Sequence, residues 1–376
     1  MTAEPSKSVD LDEVFVRAVA LHEQGQLDQA VQLYRVILET DRDHIGSLNN
    51  LAILCFQRGK VEEAVSLIRA VVRLRPDLPV AHNTLGIALR HLGRLDAAEA
   101  SCREALRLTP DYAEAHNTLG ETLMAQGRHA EAEVCCREAL RLQPEYAEAH
   151  NNLGIMLISL GRPHEAEVCC RQAVRLNPSN ARAHLNLSTA LVSLGRLDEA
   201  ENCCREAVRL NSGNAEAHGN LGTVLVALGR LKEAEACYRE AARLSPGNPV
   251  AHTNLGNTLV LEEKLSEAIA SFERAAALKP DDADAVANWF YLKQRICDWS
   301  GHRKNQERFR AGLQGQASPT VAFKLLAASS TAEEQFTYAC RVAATLAVPK
   351  SAEFSHRAFQ PGQRLRIGYF SSSFHA

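Results

Sequence analysis

A strict period of 34 residues runs through most of this sequence, and it leaves few folds open to the chain. Histidine, glycine and alanine each recur at this spacing, as His116, Gly127 and Ala132 show in one unit. Eight such units follow one another over residues 11–282. A period of this length is typical of stacked supersecondary units, so we expect an elongated repeat array rather than several globular domains.

Each unit predicts two helices. In the unit 147–180, apolar residues recur at helical spacing until Gly161, which suits a left-handed helix cap. Pro163 favours the first turn of a second helix, which we expect to end at Pro178. Gly154 and two alanines supply small side chains where the helices would approach closely. A pair this short cannot bury its apolar face alone, so neighbouring units must stack.

The length and the signature of these units resemble the tetratricopeptide repeat, with Leu-Gly early, Ala in the middle and Pro near the end. The resemblance implies an all-α superhelical solenoid. We expect the following organisation: a disordered tail over 1–10, eight repeats over 11–282, a capping helix and helical extension over 283–347, a linker over 348–363, and one β-strand over 364–376.

Composition narrows the class of partner and the compartment. The net charge is −3, which argues against nucleic acid or a membrane as the partner of the whole chain. The amino terminus lacks a signal-peptide apolar core, and no apolar run is long enough to span a bilayer. We therefore expect a cytoplasmic protein whose eleven cysteines are reduced.

Two periodic rows invite a metal interpretation that their spacing disfavours. One is the histidine row; the other contains cysteine pairs such as Cys135–Cys136. Equivalent points on stacked helices lie roughly 8–10 Å apart, whereas zinc–nitrogen bonds are about 2 Å long. We interpret the histidines as packing residues and one cysteine of each pair as a small apolar core residue, and we expect no metal site.

A third row is polar and follows each histidine by two residues. We call it the asparagine ladder and predict that it binds peptide; its members are Asn50, Asn152, Asn186, Asn220, Asn254 and Asn288. Thr84 and Thr118 interrupt it, so the best groove is expected over residues 152–288. Asparagine is unfavourable inside a helix, so its recurrence needs a reason.

Two explanations of the asparagine ladder remain open. Each amide could bond the backbone of the preceding repeat, or it could bond the backbone of a bound extended chain, since an amide both donates and accepts. The tetratricopeptide resemblance implies that first helices line an inner groove. The expected partners are proteins or extended peptides, and the repeats could also self-associate. Pairs such as Glu133–Arg137 predict a solvated outer face.

The end of the sequence carries a second resemblance. The array is followed by ICDW at 296–299 and by RLRIGYFSSSF at 364–374, in the order found in the protein O-GlcNAc transferase and SPINDLY family. The resemblance implies that residues 364–376 open the first lobe of a transferase that moves sugar from a UDP-sugar donor to Ser or Thr. Ser373 departs from the family, which usually has an acidic residue there.

These observations predict a binding module rather than a catalyst. We expect the chain itself to bind proteins, to hold no cofactor and to catalyse nothing, because the family's second lobe has no counterpart in the sequence. Three interpretations stay open: the substrate-recognition part of a glycosyltransferase cut at the start of its catalytic domain, a stand-alone scaffold for protein assembly, and a partner of a separately encoded catalytic half.

Overall fold

The computed structural model describes residues 10–298 and 306–307, and these residues form seventeen α-helices and no strand. The helices are α1 (Leu11–Glu23), α2 (Leu27–Thr40), α3 (Ile45–Gln57), α4 (Val61–Leu74), α5 (Pro79–His91), α6 (Leu95–Leu108), α7 (Ala113–Ala125), α8 (His129–Leu142), α9 (Ala147–Ser159), α10 (Pro163–Leu176), α11 (Ala181–Ser193), α12 (Leu197–Leu210), α13 (Ala215–Ala227), α14 (Leu231–Leu244), α15 (Pro249–Leu261), α16 (Leu265–Leu278) and α17 (Ala283–Arg295). Odd-numbered helices are the first helices of their repeats, and even-numbered helices are the second.

A glycine separates the two helices of most repeats. Gly161 follows α9 with φ +71°, the left-handed conformation predicted for it, and Pro163 begins α10 as predicted. Equivalent glycines all have φ between +70° and +78°; they are Gly25, Gly59, Gly93, Gly127, Gly195 and Gly229. Glu263 takes this place in the eighth repeat with φ +62°, a conformation that costs a residue with a Cβ more than it costs glycine.

The two helices of a repeat approach closely at a glycine. A Cβ added at Gly154 of α9 would lie 2.4 Å from the Cys170 Sγ of α10, so only glycine fits without movement. Gly86 and Gly120 have the same relation to a cysteine on their second helices. Ala166 is fully buried on the facing side of α10. The prediction that small residues mark the helix contact is confirmed.

Leucines from successive first helices carry the core from one repeat to the next. Leu119 and Leu123 of α7 and Leu153 and Leu157 of α9 are buried in one cluster. Each second helix from α2 to α14 packs against the first helix of its own repeat and the first helix of the next. This nearest-neighbour packing is what makes the array a solenoid.

The chain divides into two units, residues 1–262 and 263–376. The first unit contains α1 to α15. In the second, α16 and α17 pack on each other and bury Phe272 and Trp289. No helix in the described part of the chain is both long and apolar enough to cross a bilayer.

Several sequence predictions fall on residues beyond those that the structure describes. Almost all of the predicted amino-terminal tail lies there, as do the helical extension after Asp298 apart from residues 306–307, the linker over 348–363 and the strand over 364–376. These four remain predictions.

Candidate functional site

The candidate site is the first-helix face, which we define as the exposed and half-buried side chains of the odd-numbered helices α3 to α15. From α5 to α15, each first helix contacts the next first helix, and these contacts are closer than those between successive second helices. Elements on the inside of a curved stack lie closer together than those on the outside. The first-helix face therefore lines the inner side of the first unit.

Hydrogen bonds across three repeats show that this face is continuous. Arg90 of α5 donates to the Glu121 carboxylate of α7 at 2.6 Å. The Asn152 amide of α9 donates to the same carboxylate at 2.7 Å and to the Asn117 Oδ1 at 3.0 Å. Asn152 is buried, so its donors are committed to the preceding repeat. This member of the asparagine ladder ties three first helices together.

Two further members of the ladder also bond inside the array. The Asn186 amide donates to the Asn151 Oδ1 of the preceding repeat at 2.7 Å. The Asn50 amide donates to the Tyr34 hydroxyl at 3.1 Å. Both residues are half-buried. The internal partners are thus side chains of the preceding repeat, whereas the sequence offered only its backbone.

Asn220 and Asn254 differ from these three. Each is half-buried on the first-helix face, and neither side chain has a hydrogen-bond partner within the part of the chain that the structure describes. The hydroxyls of Thr84 and Thr118 each donate to the backbone carbonyl oxygen four residues earlier, at 2.8 and 2.9 Å. Asn288 lies half-buried in α17 of the second unit. The ladder therefore places two amides, on neighbouring helices α13 and α15, where a ligand can reach them.

The histidine row has a structural role. The His184 Nε2 lies 3.0 Å from the Pro178 carbonyl oxygen at the end of the preceding repeat. Because a carbonyl only accepts, Nε2 carries the proton. The five equivalent histidines make the same bond at 2.8 to 3.2 Å; they are His82, His116, His150, His218 and His252. Among the described residues, no group of His, Cys, Asp and Glu is arranged to hold a metal ion.

One cysteine of each pair packs as an apolar core residue, as predicted. Cys102, Cys136, Cys170 and Cys204 are fully buried. Burial raises the pKa of Cys170 to about 12, and burial likewise raises the pKa of Cys204 to about 11, so both remain thiols. Thiols in this state are poor nucleophiles and poor metal ligands.

The outer face carries closed rings of charge. Glu133 accepts from Arg137 and from Arg162, each at 2.8 Å. Glu165 accepts from the same two arginines at 3.3 and 2.6 Å. Two further rings repeat this pattern on the next second helices, around Glu167 and around Glu201. These charges are satisfied within the array, which favours a structural role for the outer face.

Sequence reasoning missed two sets of residues here. Asn117 and Asn151 accept the ladder amides and lie directly after the row histidines His116 and His150. Arg162 closes a ring from the loop between two helices. Both sets recur at the 34-residue spacing, so the period contained the signal. The period alone does not show which side chains contact each other across neighbouring repeats.

Comparisons with known protein families agree with this architecture. The family model for the cilia and flagella-associated protein 70 C-terminal domain, a tetratricopeptide repeat model, matches residues 4–194, just over half of the chain. The tetratricopeptide repeat model itself matches residues 185–249 and 220–283. The chain belongs to the tetratricopeptide repeat family. Tetratricopeptide repeats bind protein or peptide partners.

Solved structures show the same fold. A chain of the APC/C hetero-tetramer Cut9–Hcn1 aligns with a TM-score of 0.60 at 17% identity, over 74% of this chain and 55% of that one. PilF of Pseudomonas aeruginosa aligns with a TM-score of 0.50 at 21% identity, over 56% of this chain and 96% of PilF. The tetratricopeptide repeat protein thus spans about half the length of the Cut9–Hcn1 chain. No curated protein matches the sequence.

Proposed function

We propose that this chain is an assembly module that holds an extended segment of another protein against its first-helix face. The observation that carries the proposal is the pair Asn220 and Asn254, which lie half-buried on neighbouring first helices without a side-chain hydrogen-bond partner among the described residues. A backbone segment lying across α13 and α15 would supply each amide with a donor and an acceptor.

The other ladder members support this role indirectly. Asn152 and Asn186 bond side chains of the preceding repeat and keep neighbouring first helices in register. A binding face that is already ordered loses less conformational entropy when a ligand binds. In this proposal the amides of Asn152 and Asn186, which bond inside the array, shape the groove. The amides of Asn220 and Asn254 contact the ligand.

The test is affinity capture from an extract of the source cells. We expect defined partners to bind the full chain and to be lost on the double change Asn220→Ala and Asn254→Ala, with helix content unchanged. A matched control is Asn202→Ala, at an exposed asparagine on the second helix α12. Equal loss in the control, or full retention in the double variant, would refute binding at this face.

A second candidate function is recruitment of acceptor proteins for a nucleotide-sugar glycosyltransferase. Its support is the resemblance of residues 296–299 and 364–374 to the O-GlcNAc transferase and SPINDLY family. In that role the first-helix face would present a Ser- or Thr-containing segment for glycosylation. The stand-alone scaffold needs no such chemistry.

Mass spectrometry of the captured proteins separates the two candidates. If the module serves a glycosyltransferase, captured proteins carry O-linked sugar on Ser or Thr more often than the unselected extract does. If the captured set is no richer in O-linked sugar than the extract, recruitment for glycosylation is refuted and the scaffold function stands.

A further inference from the structure

On the first-helix face of α3 to α15, the Arg, Lys, Asp and Glu side chains beyond the first turns are Arg90 of α5 and Glu121 of α7. Arg90 and Glu121 form an ion pair on α5 and α7, where their side chains are 25% and 21% exposed. Beyond the first turn of α11, α13 and α15, every side chain left exposed or half-buried is uncharged. We call this surface the neutral strip and define it by an aliphatic row, Val192, Val226 and Val260, and an amide row, Asn220, Asn254 and Asn257.

Charges border the neutral strip without entering it. Arg182 and Glu216 are exposed in the first turns of α11 and α13, and their opposite signs give the border no net charge. The equivalent position on α15 is Val250, which is 59% exposed. On the second helices, by contrast, the ring carboxylates each meet two arginines. The neutral strip therefore contrasts with the charged second helices, and α9 beside it is likewise uncharged beyond its first turn.

The chemistry of this surface selects against a charged ligand. A ligand carboxylate or ammonium group buried against Val226 or Asn257 would lose its water and find no opposite charge. Burying an unpaired charge is costly, whereas aliphatic side chains gain free energy when they are buried on the valines. The amide row can satisfy an uncharged backbone.

We propose that the neutral strip recognises an extended, uncharged peptide segment that carries aliphatic side chains. Three helices side by side span about 30 Å, which corresponds to about nine residues of extended chain. The proposal rests on the function proposed above and adds to it the chemical class of the ligand. It also predicts binding that salt hardly changes, because screening acts on charge pairs.

The experiment is selection from a phage-displayed library of random twelve-residue peptides on the full chain. We expect the selected peptides to contain fewer Asp, Glu, Lys and Arg residues than the library, and more Val, Leu, Ile and Ala. The strongest peptide is then synthesised and titrated by calorimetry. We expect its Kd to change less than about twofold between low and high salt.

A matched pair of variants locates the binding. Asn257→Asp adds a charge to the neutral strip at almost constant shape, and Asn202→Asp makes the same change at an exposed site on α12. We expect Asn257→Asp to weaken binding of the peptide about tenfold and Asn202→Asp to leave its affinity unchanged. Equal affinity in both variants would place the peptide elsewhere and overturn the proposal.

The remaining outcomes are also decisive. If the selected peptides are rich in charge and their binding weakens steeply with salt, peptide binding stands but the neutral class is wrong. If the library yields no selected peptide, the peptide-binding function fails and the ligand class fails with it. If sedimentation shows an oligomer that Asn257→Asp dissociates and Asn202→Asp does not, the strip binds a second copy of this chain instead.

Discussion

The close approach of α9 and α10 predicts that Gly154→Ala destabilises the array, although alanine is the better helix former. The new Cβ would lie 2.4 Å from the Cys170 Sγ, and the Ala166 carbonyl oxygen closes the other side at 3.6 Å. Cys170 is fully buried, so its sulfur has no free space to enter. One helix must move away from the other.

The magnitude follows from two opposing contributions. Overpacking of a buried contact costs about 1–3 kcal/mol. Replacing glycine by alanine inside a helix stabilises the helix by about 1 kcal/mol. Gly154→Ala should therefore lower the free energy of unfolding by up to about 2 kcal/mol. Ser188 occupies the equivalent position opposite Cys204, which shows that the helices can separate enough to accept a Cβ.

Gly219→Ala is the matched control. Gly219 also lies in a first helix, α13, but a Cβ there would meet nothing within 4 Å. Gly219→Ala should gain the higher helix propensity of alanine without the steric clash, and should therefore stabilise the chain by about 1 kcal/mol. The difference between the two variants therefore isolates the overpacking cost.

The assay is chemical unfolding followed by far-ultraviolet circular dichroism, with a double-mutant cycle. Cys170→Ala removes the sulfur that obstructs the new methyl group, so the double variant should be more stable than the sum of the single changes by about 1–3 kcal/mol. If the two changes are additive, or if Gly154→Ala stabilises as much as Gly219→Ala, the contact at Gly154 does not limit the helix spacing.

Three further predictions concern the rings, the histidine row and nucleotide sugars. Hydrogen bonds from Arg171 lower the pKa of Glu167, and those from Arg196 add to this effect against the cost of burial. The ion pairs of Glu167 therefore stabilise the fold above the usual glutamate pKa of 4.5, and this stabilisation is lost as pH falls through the lower folded pKa. Glu167→Gln should unfold more easily than the parent at pH 7 but not at low pH or in high salt. An equal difference between variant and parent at all pH values in thermal melts would contradict a role for the ring of charges. His184→Ala removes the bond to Pro178 and should cost about 1 kcal/mol in denaturant unfolding, with no loss indicating that solvent replaces the bond. Calorimetry with a uridine-diphosphate sugar should show no measurable binding to this chain, and micromolar affinity would contradict the expectation that it is not an enzyme.

The fold was predictable because the 34-residue period repeats the same helix-boundary and helix-contact signals in several units. Gly161 marks one helix boundary, and a glycine at the same position repeats that boundary in six other units, which makes chance agreement a poor explanation. The small residue at Gly154 indicated the helix contact for the same reason. Local backbone preferences and nearest-neighbour packing suffice for a solenoid, and both can be read from one unit.

The candidate site was less predictable because it depends on contacts between units. A periodic sequence shows that Asn152 and Asn186 occupy the same position, but not which side chain of the preceding repeat lies opposite. The structure pairs them with Asn117 and Asn151, thirty-five residues earlier, and leaves Asn220 without such a partner within the described residues because Leu185 occupies that place. The functional difference among identical ladder positions thus arises from their neighbours.

The most direct test of the central claim is to find which face of the chain touches a bound partner. A photoreactive benzoylphenylalanine replaces either Ala227, exposed at the end of α13 on the first-helix face, or Ala236, exposed on the second helix α14. After capture and irradiation, we predict a covalent product with the partner from position 227 and none from position 236. A product from position 236 alone would contradict binding at the first-helix face.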